Sequence, residues 1–182
     1  PRFDSGACFS ALLGDMNHGR WSIAPAAVGS DIKVSRRYTH NTLILETEFT
    51  SADGENAVAL IDFMPRREGR NASHLVRLVV GKRGSVAMRT EWIVRFGYGG
   101  WVPWVSRSDA GDLIAIAGPD MVVMRTPVEL RGEGLTTVGD FVVSAGQRVP
   151  FVLTYAPSHL PLPEPIDVDE ALRSTADFWQ TW

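Results

Sequence analysis

An all-β fold, built as a sandwich or a barrel, is what this sequence predicts. Three observations carry that expectation. Apolar and polar residues alternate with a period of two along much of the chain, most clearly over residues 85–96. Turn-forming clusters recur every eight to twelve residues and divide the chain into about ten short strands. There is no alternation of strands with helical stretches and no repeat of fixed period, which argues against a parallel βαβ sheet and against a solenoid. A length of 182 residues, 45% of them hydrophobic, suits one domain with a substantial core.

The elements follow in order. Asp4 or Ser5 can accept from the free N–H groups of a first helical turn. Phe9, Leu12 and Leu13 then share a face and Gly14 supplies a stop, so a short N-terminal helix is expected. A strand over 21–24 ends at Pro25. From Asp31 the period is two, with Ile32 and Val34 opposed to Lys33 and Ser35. Residues 42–49 set Leu43, Leu45, Thr47 and Phe49 against Ile44, Glu46 and Glu48. Asp53-Gly54 is a turn signal, and 57–64 returns as a more apolar strand, so the pair reads as a hairpin. A strand over 74–80 follows, with Gly81 and Gly84 around the next turn. In 85–96, Val86, Met88, Thr90, Trp92, Val94 and Phe96 take the face expected to be buried, and Ala87, Arg89, Glu91, Ile93 and Arg95 take a largely wet one. Strands over 105–107, 113–117, 121–125, 128–131, 136–143 and 149–155 complete the series.

The composition then changes. Pro157, Pro161, Pro163 and Pro165 make a stiff extended linker. Asp167 with Glu170 three residues on is a variant capping box, opening a helix that carries Leu172, Ala176, Trp179 and Trp182, with Phe178 beside them. The expected division is a β-sandwich or barrel over 1–156 and a linker with a helix over 157–182. An apolar stripe of that size needs a covering surface, so Leu172, Phe178, Trp179 and Trp182 read as a domain-interface helix leading to a further domain. On its own, the chain is expected to self-associate or to fold its last helix back onto its own sheets.

Composition narrows the chemistry. The net charge of -3 gives no reason to expect nucleic acid or an anionic membrane as partner. Sixteen arginines stand against two lysines, and the pairs Arg36-Arg37 and Arg66-Arg67 read as solvated face. No stretch approaches a membrane span. Cys8, the single cysteine, sits in an apolar run and reads as a buried small hydrophobe, so no internal disulfide is expected. With no signal-peptide pattern at the start, a cytoplasmic setting is expected, and the sequon Asn71-Ala72-Ser73 reads as chance. The first residue is Pro1, so the natural start is expected to lie upstream.

His18, His40, His74 and His159 show no ligand spacing, so neither metal nor other cofactor is expected. Gly14, Gly19 and Gly29 lack dinucleotide-binding spacing, and no Gly-x-Ser-x-Gly elbow occurs. Glu46 and Glu48 lie on the polar face of a strand, and Asp53 and Glu55 lie in a turn. Asp62 interrupts an apolar strand and is followed by Arg66 and Arg67. A buried carboxylate needs a partner, so structural pairing with a nearby arginine is expected. No catalytic residue is assigned.

The most distinctive stretch is 96–104, with four aromatics and three glycines in nine residues. Tyr98, Trp101 and Trp104 are the candidate contact residues of this loop. They can fold back over the sheet, touch a neighbouring domain or stack on a sugar ring.

Several segments form an ordered series. They are Pro1-Arg2-Phe3-Asp4-Ser5 with Cys8-Phe9-Ser10-Ala11-Leu12-Leu13-Gly14, then Trp21-Ser22-Ile23-Ala24-Pro25, Thr42-Leu43-Ile44-Leu45-Glu46-Thr47 and Ile61-Asp62-Phe63-Met64-Pro65. Arg95-Phe96-Gly97-Tyr98-Gly99 with Pro103-Trp104, and Leu130-Arg131-Gly132-Glu133-Gly134, continue it. Together they resemble the trehalase-like N-terminal domain of bacterial family-15 glycoside hydrolases, the glucoamylase and trehalase group. Gly6 stands where relatives often have proline, and the family's usual preceding chain, with its Asp-Gly hairpin, is not in this sequence. The resemblance implies an antiparallel β-sandwich, lacking its first strands here, that precedes a catalytic (α/α)6 barrel. It implies trehalose or α-glucans as substrates of the whole enzyme. The sandwich would support the barrel and shape its mouth with the aromatic loop. An independent carbohydrate-binding module and a purely structural interaction domain are the alternatives.

Overall fold

The computed structural model describes residues 5–26, 31–67 and 72–182. Asp4, as a possible helix cap, and Asn71 of the sequon lie outside the described residues. The strands in chain order are β1 (Arg20–Pro25), β2 (Ile32–Tyr38), β3 (Leu45–Ser51), β4 (Ala57–Phe63), β5 (Ser73–Arg83), β6 (Ser85–Ile93), β7 (Trp104–Arg107), β8 (Leu113–Ala117), β9 (Asp120–Arg125), β10 (Arg131–Glu133), β11 (Thr136–Ser144) and β12 (Arg148–Pro157). One helix, α1 (Val168–Thr181), follows. They form two antiparallel sheets, a four-stranded β1-β6-β11-β10 and an eight-stranded β2-β3-β4-β5-β12-β9-β8-β7, so the architecture is a sandwich.

The phase of β6 explains the core. Met88, Thr90 and Trp92, continued by Val94 and Phe96, are each at most 4% exposed. Most of this face meets Val58, Leu60, Val79, Met124, Phe151 and Leu153 of the larger sheet in one apolar cluster. Phe151 is fully buried there, with the Phe141 ring centroid at 5.4 Å and that of Trp21, edge-on, at 6.4 Å. The opposite face is drier than its sequence suggests, because Ile93 and Arg95 are buried there.

The rest of that outer face carries a cross-strand ladder of charge. Arg20 of β1 pairs with Glu91 of β6. Arg89 reaches Glu133 at 2.9 Å and Asp140 at 3.2 Å, and Arg131 reaches Asp140 at 2.7 Å and Glu133 at 2.8 Å. Opposite charges placed across neighbouring strands favour the register that aligns them.

Inside the sandwich Asp62 pairs with an arginine, though with neither Arg66 nor Arg67. Its partner is Arg77, directly opposite on β5. Arg77 donates Nε to Oδ1 at 2.8 Å and Nη2 to Oδ2 at 3.2 Å. Its Nη1 crosses to the other sheet and donates to the Trp21 carbonyl at 2.8 Å, and the guanidinium lies 5.0 Å from the Trp21 ring centroid.

Three expectations need correction. The N-terminal helix does not form: residues 8–18 are turns and bends, closed by Ser10 N–H to the His18 carbonyl and Ala11 N–H to the Gly19 carbonyl. Leu12 and Leu13 are 97% and 80% exposed, so their helical spacing with Phe9 defines no buried face. The third strand begins at Leu45, because a turn around Asn41 (φ 55°) occupies the residues before it. The tenth strand is shifted from 128–131 to Arg131–Glu133.

The outer face of the larger sheet is covered in part by the chain's own end. Arg125 Nη2 donates to the Pro163 carbonyl at 2.6 Å, fixing the proline-rich segment beside β9. The Asp167 side chain then caps α1 by accepting from the Glu170 N–H at 2.9 Å. Leu172, Ala171 and Ala176 of the helix pack on Ile44, Phe63, Val76 and Val152. The last helix thus folds back onto the sandwich.

The chain crosses between sheets twice at one corner, at Gly84 between β5 and β6 and at 144–147 between β11 and β12. Gly81 N–H donates to the Gln147 carbonyl there at 2.9 Å. A Cβ on Gly81 would lie 2.0 Å from the Ser144 carbonyl oxygen, which is backbone and cannot swing away. Gly81→Ala is therefore expected to destabilise the domain by about 1–3 kcal/mol or more, read as a lower urea midpoint at unchanged slope. A midpoint equal to wild type would mean that the corner is looser than this.

The charge ladder predicts an acid limit. Hydrogen bonds from Arg20 hold Glu91 below its ordinary 4.5, and hydrogen bonds from Arg131 hold Asp140 below its ordinary 3.8. Depressed carboxylates contribute stability above their unfolded pKa and lose it as pH falls through the lowered folded values. The melting temperature is expected to fall on acidification below about pH 4.5, and less steeply in Arg89→Gln than in wild type. Parallel profiles would show that the ladder contributes nothing measurable.

Candidate functional site

The aromatic loop leaves the core at Phe96, which is 2% exposed, and closes on itself at once. Phe96 and Trp101 exchange both backbone hydrogen bonds, at 2.9 and 3.0 Å, as an isolated antiparallel bridge. The turn between them needs three successive residues at positive φ: Gly97 at 58°, Tyr98 at 59° and Gly99 at 97°. Only glycine takes such angles without strain, so the glycines fix the loop rather than loosen it. Gly97 also admits the Trp101 ring, whose Cδ2 would lie 3.3 Å from an added Cβ.

A second irregular segment supports the loop. Tyr98 N–H donates to the Ala7 carbonyl at 3.1 Å, and Arg95 N–H to the Cys8 carbonyl at 3.2 Å. His18 lies against Gly99 closely enough to exclude any side chain there, with Cδ2 at 2.5 Å from an added Cβ. Residues 5–19 and 96–101 therefore make one backbone-anchored surface. The rings at and beside it stay largely exposed, Tyr98 at 58%, Trp101 at 56% and Trp104 at 80%, with the Tyr98 hydroxyl donating to the Ser5 carbonyl at 3.4 Å.

The structure separates the three candidates. Trp104 opens β7 and borders a cleft of about 500 Å³, whereas Tyr98 and Trp101 are not among its lining residues. One wall of the cleft is Val102–Arg107 and the other is the β10–β11 hairpin with Leu130 and Leu135, with Trp92 and Val94 between them. Sequence reasoning missed this cleft because it arises from strand order, which places β7 and β10 at the free edges of their sheets. One sequence cue was available, the apolar Leu135 at a hairpin tip, which stands 67% exposed.

The helix residues also divide. Leu172 turns inward onto the chain's own sheet. Phe178, Trp179 and Trp182 stack edge to face, with centroids at 5.1 and 5.8 Å, and Arg66 lies 5.6 Å over Phe178. Trp182 is 89% exposed and, with Trp179 and the 38–43 turn, lines a second, shallower hollow.

Most of the carboxylates weighed as chemical groups are engaged in structure. Glu46 pairs with Arg37, Glu48 accepts from Thr50, and Asp53 accepts from the Glu55 N–H in its turn. Among the described residues no group of three His, Cys, Asp or Glu side chains is placed to hold a metal ion. No helix among them is long and apolar enough to cross a membrane. Tyr155 donates to Asp120 at 2.6 Å, and burial followed by that bond pushes its phenol up to about 12.

A two-sheet antiparallel sandwich with an anchored aromatic loop at one end and a helix laid over one face is the class this fold defines. The chain belongs to the trehalase-like N-terminal family, whose sequence model matches residues 1–158. No curated protein matches it. Among solved structures, a bacterial glucoamylase complexed with acarbose aligns at a TM-score of 0.48 and 8% identity, over 89% of this chain and 28% of that one. A protein described as a kojibiose phosphorylase from human microbiome aligns at 0.45 and 8% identity, over 89% of this chain and 24% of that one.

Cys8 carries a prediction. Burial raises its thiol to about 11, so almost no thiolate exists near neutral pH. At about pH 8 it is expected to resist a disulfide-exchange reagent in the native protein and to react within minutes in guanidinium. Rapid native labelling would show that the segment around it opens.

Proposed function

We propose that this chain is the non-catalytic N-terminal sandwich of a larger carbohydrate-active enzyme, a glycoside hydrolase acting on trehalose or α-glucans, and that it supports that enzyme's catalytic (α/α)6 barrel. The family match over 1–158 carries this reading. The carboxylates support it. A glycosidase needs two carboxyl groups facing each other across a sugar, and those of Asp62, Glu46 and Asp53 are each tied into the sheets and turns.

The loop supports a role at the barrel's mouth. Its backbone is held by hydrogen bonds while Tyr98, Trp101 and Trp104 offer free ring faces, the condition for stacking on a sugar or on a neighbouring domain. In this reading Phe178, Trp179 and Trp182 form a second contact, and Leu172 anchors their helix to the sandwich. The single free cysteine suits a cytoplasmic enzyme. A second reading, an independent sugar-binding module, is favoured by one observation: Trp104 stands 80% exposed at the rim of a cleft.

Expressed alone, the chain is expected to release no glucose from trehalose, maltose or starch above a buffer blank, and to give no binding heat with trehalose or maltooligosaccharides. In the complete enzyme, Trp101→Ala and Trp104→Ala are expected to lower kcat/KM while the sandwich melts within a few degrees of wild type. Glucose release that disappears in Asp62→Asn would overturn the accessory role. Saturable sugar binding by the chain alone would establish the second reading, and unchanged kinetics in both tryptophan variants would remove the loop from function.

A further inference from the structure

The cleft at the open side of the sandwich has a chemistry of its own. All four consecutive residues of β7 border it, and β7 pairs only with β8. Side chains alternate between the two faces of a strand, so a wall made of consecutive residues is the strand's edge, with its unpaired N–H and C=O groups. The opposite wall includes β10, which pairs only with β11 and is the other free edge. The cleft is therefore bounded by two sheet edges that have no second strand beside them.

Its charge is one-sided. Arg95, Arg107 and Arg131 line it and no Asp or Glu does. Arg131 is neutralised by Glu133 and Asp140 outside the cleft. Arg95 and Arg107 are not: Arg95 donates to the Val94 and Leu135 carbonyls, and Arg107 to the Gly111 and Leu130 carbonyls. Among the described residues neither has a carboxylate partner, although Arg95 is only 8% exposed. Trp92, 3% exposed and also lining the cleft, keeps a buried Nε1–H with no acceptor. Arg107 is exposed, but the buried Arg95 charge and Trp92 donor favour an occupant that brings acceptors.

We infer that this cleft receives an extended segment of a partner polypeptide, which adds a strand along β7 and presents a carboxylate to Arg107 and Arg95. A strand is the occupant that satisfies both the donors and the acceptors of a free edge, and an acidic side chain supplies the missing counter-charge. A second copy of this chain offering its own β7 would bring a second Arg107 into the same cleft, so the site does not favour its own edge.

The probes are two blocked hexapeptides, Thr-Glu-Val-Glu-Val-Thr and Thr-Lys-Val-Lys-Val-Thr, titrated into the chain at low salt. The acidic peptide is expected to bind at least tenfold more tightly, to shift the Trp92 indole N–H resonance and to slow amide exchange across β7. The preference is expected to fall below twofold in Arg107→Gln and to return in Arg107→Lys. If Arg107→Gln does not fold, the ratio of the two peptides on the unchanged chain decides alone. Equal affinities, no response at Trp92 and β7, saturation of the same resonances by trehalose or maltotriose, or dimerisation through β7 would each overturn the assignment.

Discussion

Arg77 spans the sandwich, and the relation of the two sheets rests on what it does there. Its guanidinium is held in two places by Asp62 on the neighbouring strand, and the remaining arm reaches the backbone of Trp21 in the other sheet. Apolar packing is nondirectional and tolerates some sliding of one sheet over the other. A directed bond from a charged donor to a fixed carbonyl tolerates much less. Trp21 is also fixed by its own Nε1–H to Thr90 at 3.1 Å and by its edge against Phe151. The register of β1 on β6 and the seat of Phe151 in the core are thus tied to one ion pair. Its carboxylate is the residue that looks most out of place in an apolar strand.

The same arrangement distributes exposure unevenly. Residues 5–19 support one end of the sandwich, and the proline-rich segment with α1 covers part of the outer face of the larger sheet. Among the surfaces left uncovered are the aromatic loop, the gap between β7 and β10, and the aromatic end of the helix. These surfaces combine rigid backbone with large exposed rings, which is how a scaffold presents contacts without ordering them anew at each encounter.

Much of the fold was legible in the sequence because β-structure writes itself in a period of two. The 85–96 alternation located the core face through Trp92, and Asp53-Gly54 located the β3–β4 hairpin. The N-terminal helix was misread because Phe9, Leu12 and Leu13 have helical spacing by coincidence. Their neighbours Ser10 and Ala11 bond forward to 18 and 19 instead of inward along a helix. The partner of Asp62 was missed because the nearest arginines in sequence were not the nearest in register. The loop aromatics were legible by composition. The cleft was not, since edges exist only once strand order is known, and strand order is set by contacts between residues far apart in the chain.

That order has a consequence for how the chain becomes a structure. The last two strands to be made are central ones: β12 lies between β5 and β9, and β11 between β6 and β10. Without β12 the larger sheet is two unconnected pieces, β2 to β5 and β7 to β9. Without β11 the strand β10 has no neighbour. About the first 135 residues can therefore form hairpins but no closed sandwich, and they hold open edges until the final strands slide between them. A topology dominated by such distant pairings folds slowly, and its half-built forms expose the surfaces that aggregate. Shortening the chain from its C-terminal side into β12 would not trim this domain but split it.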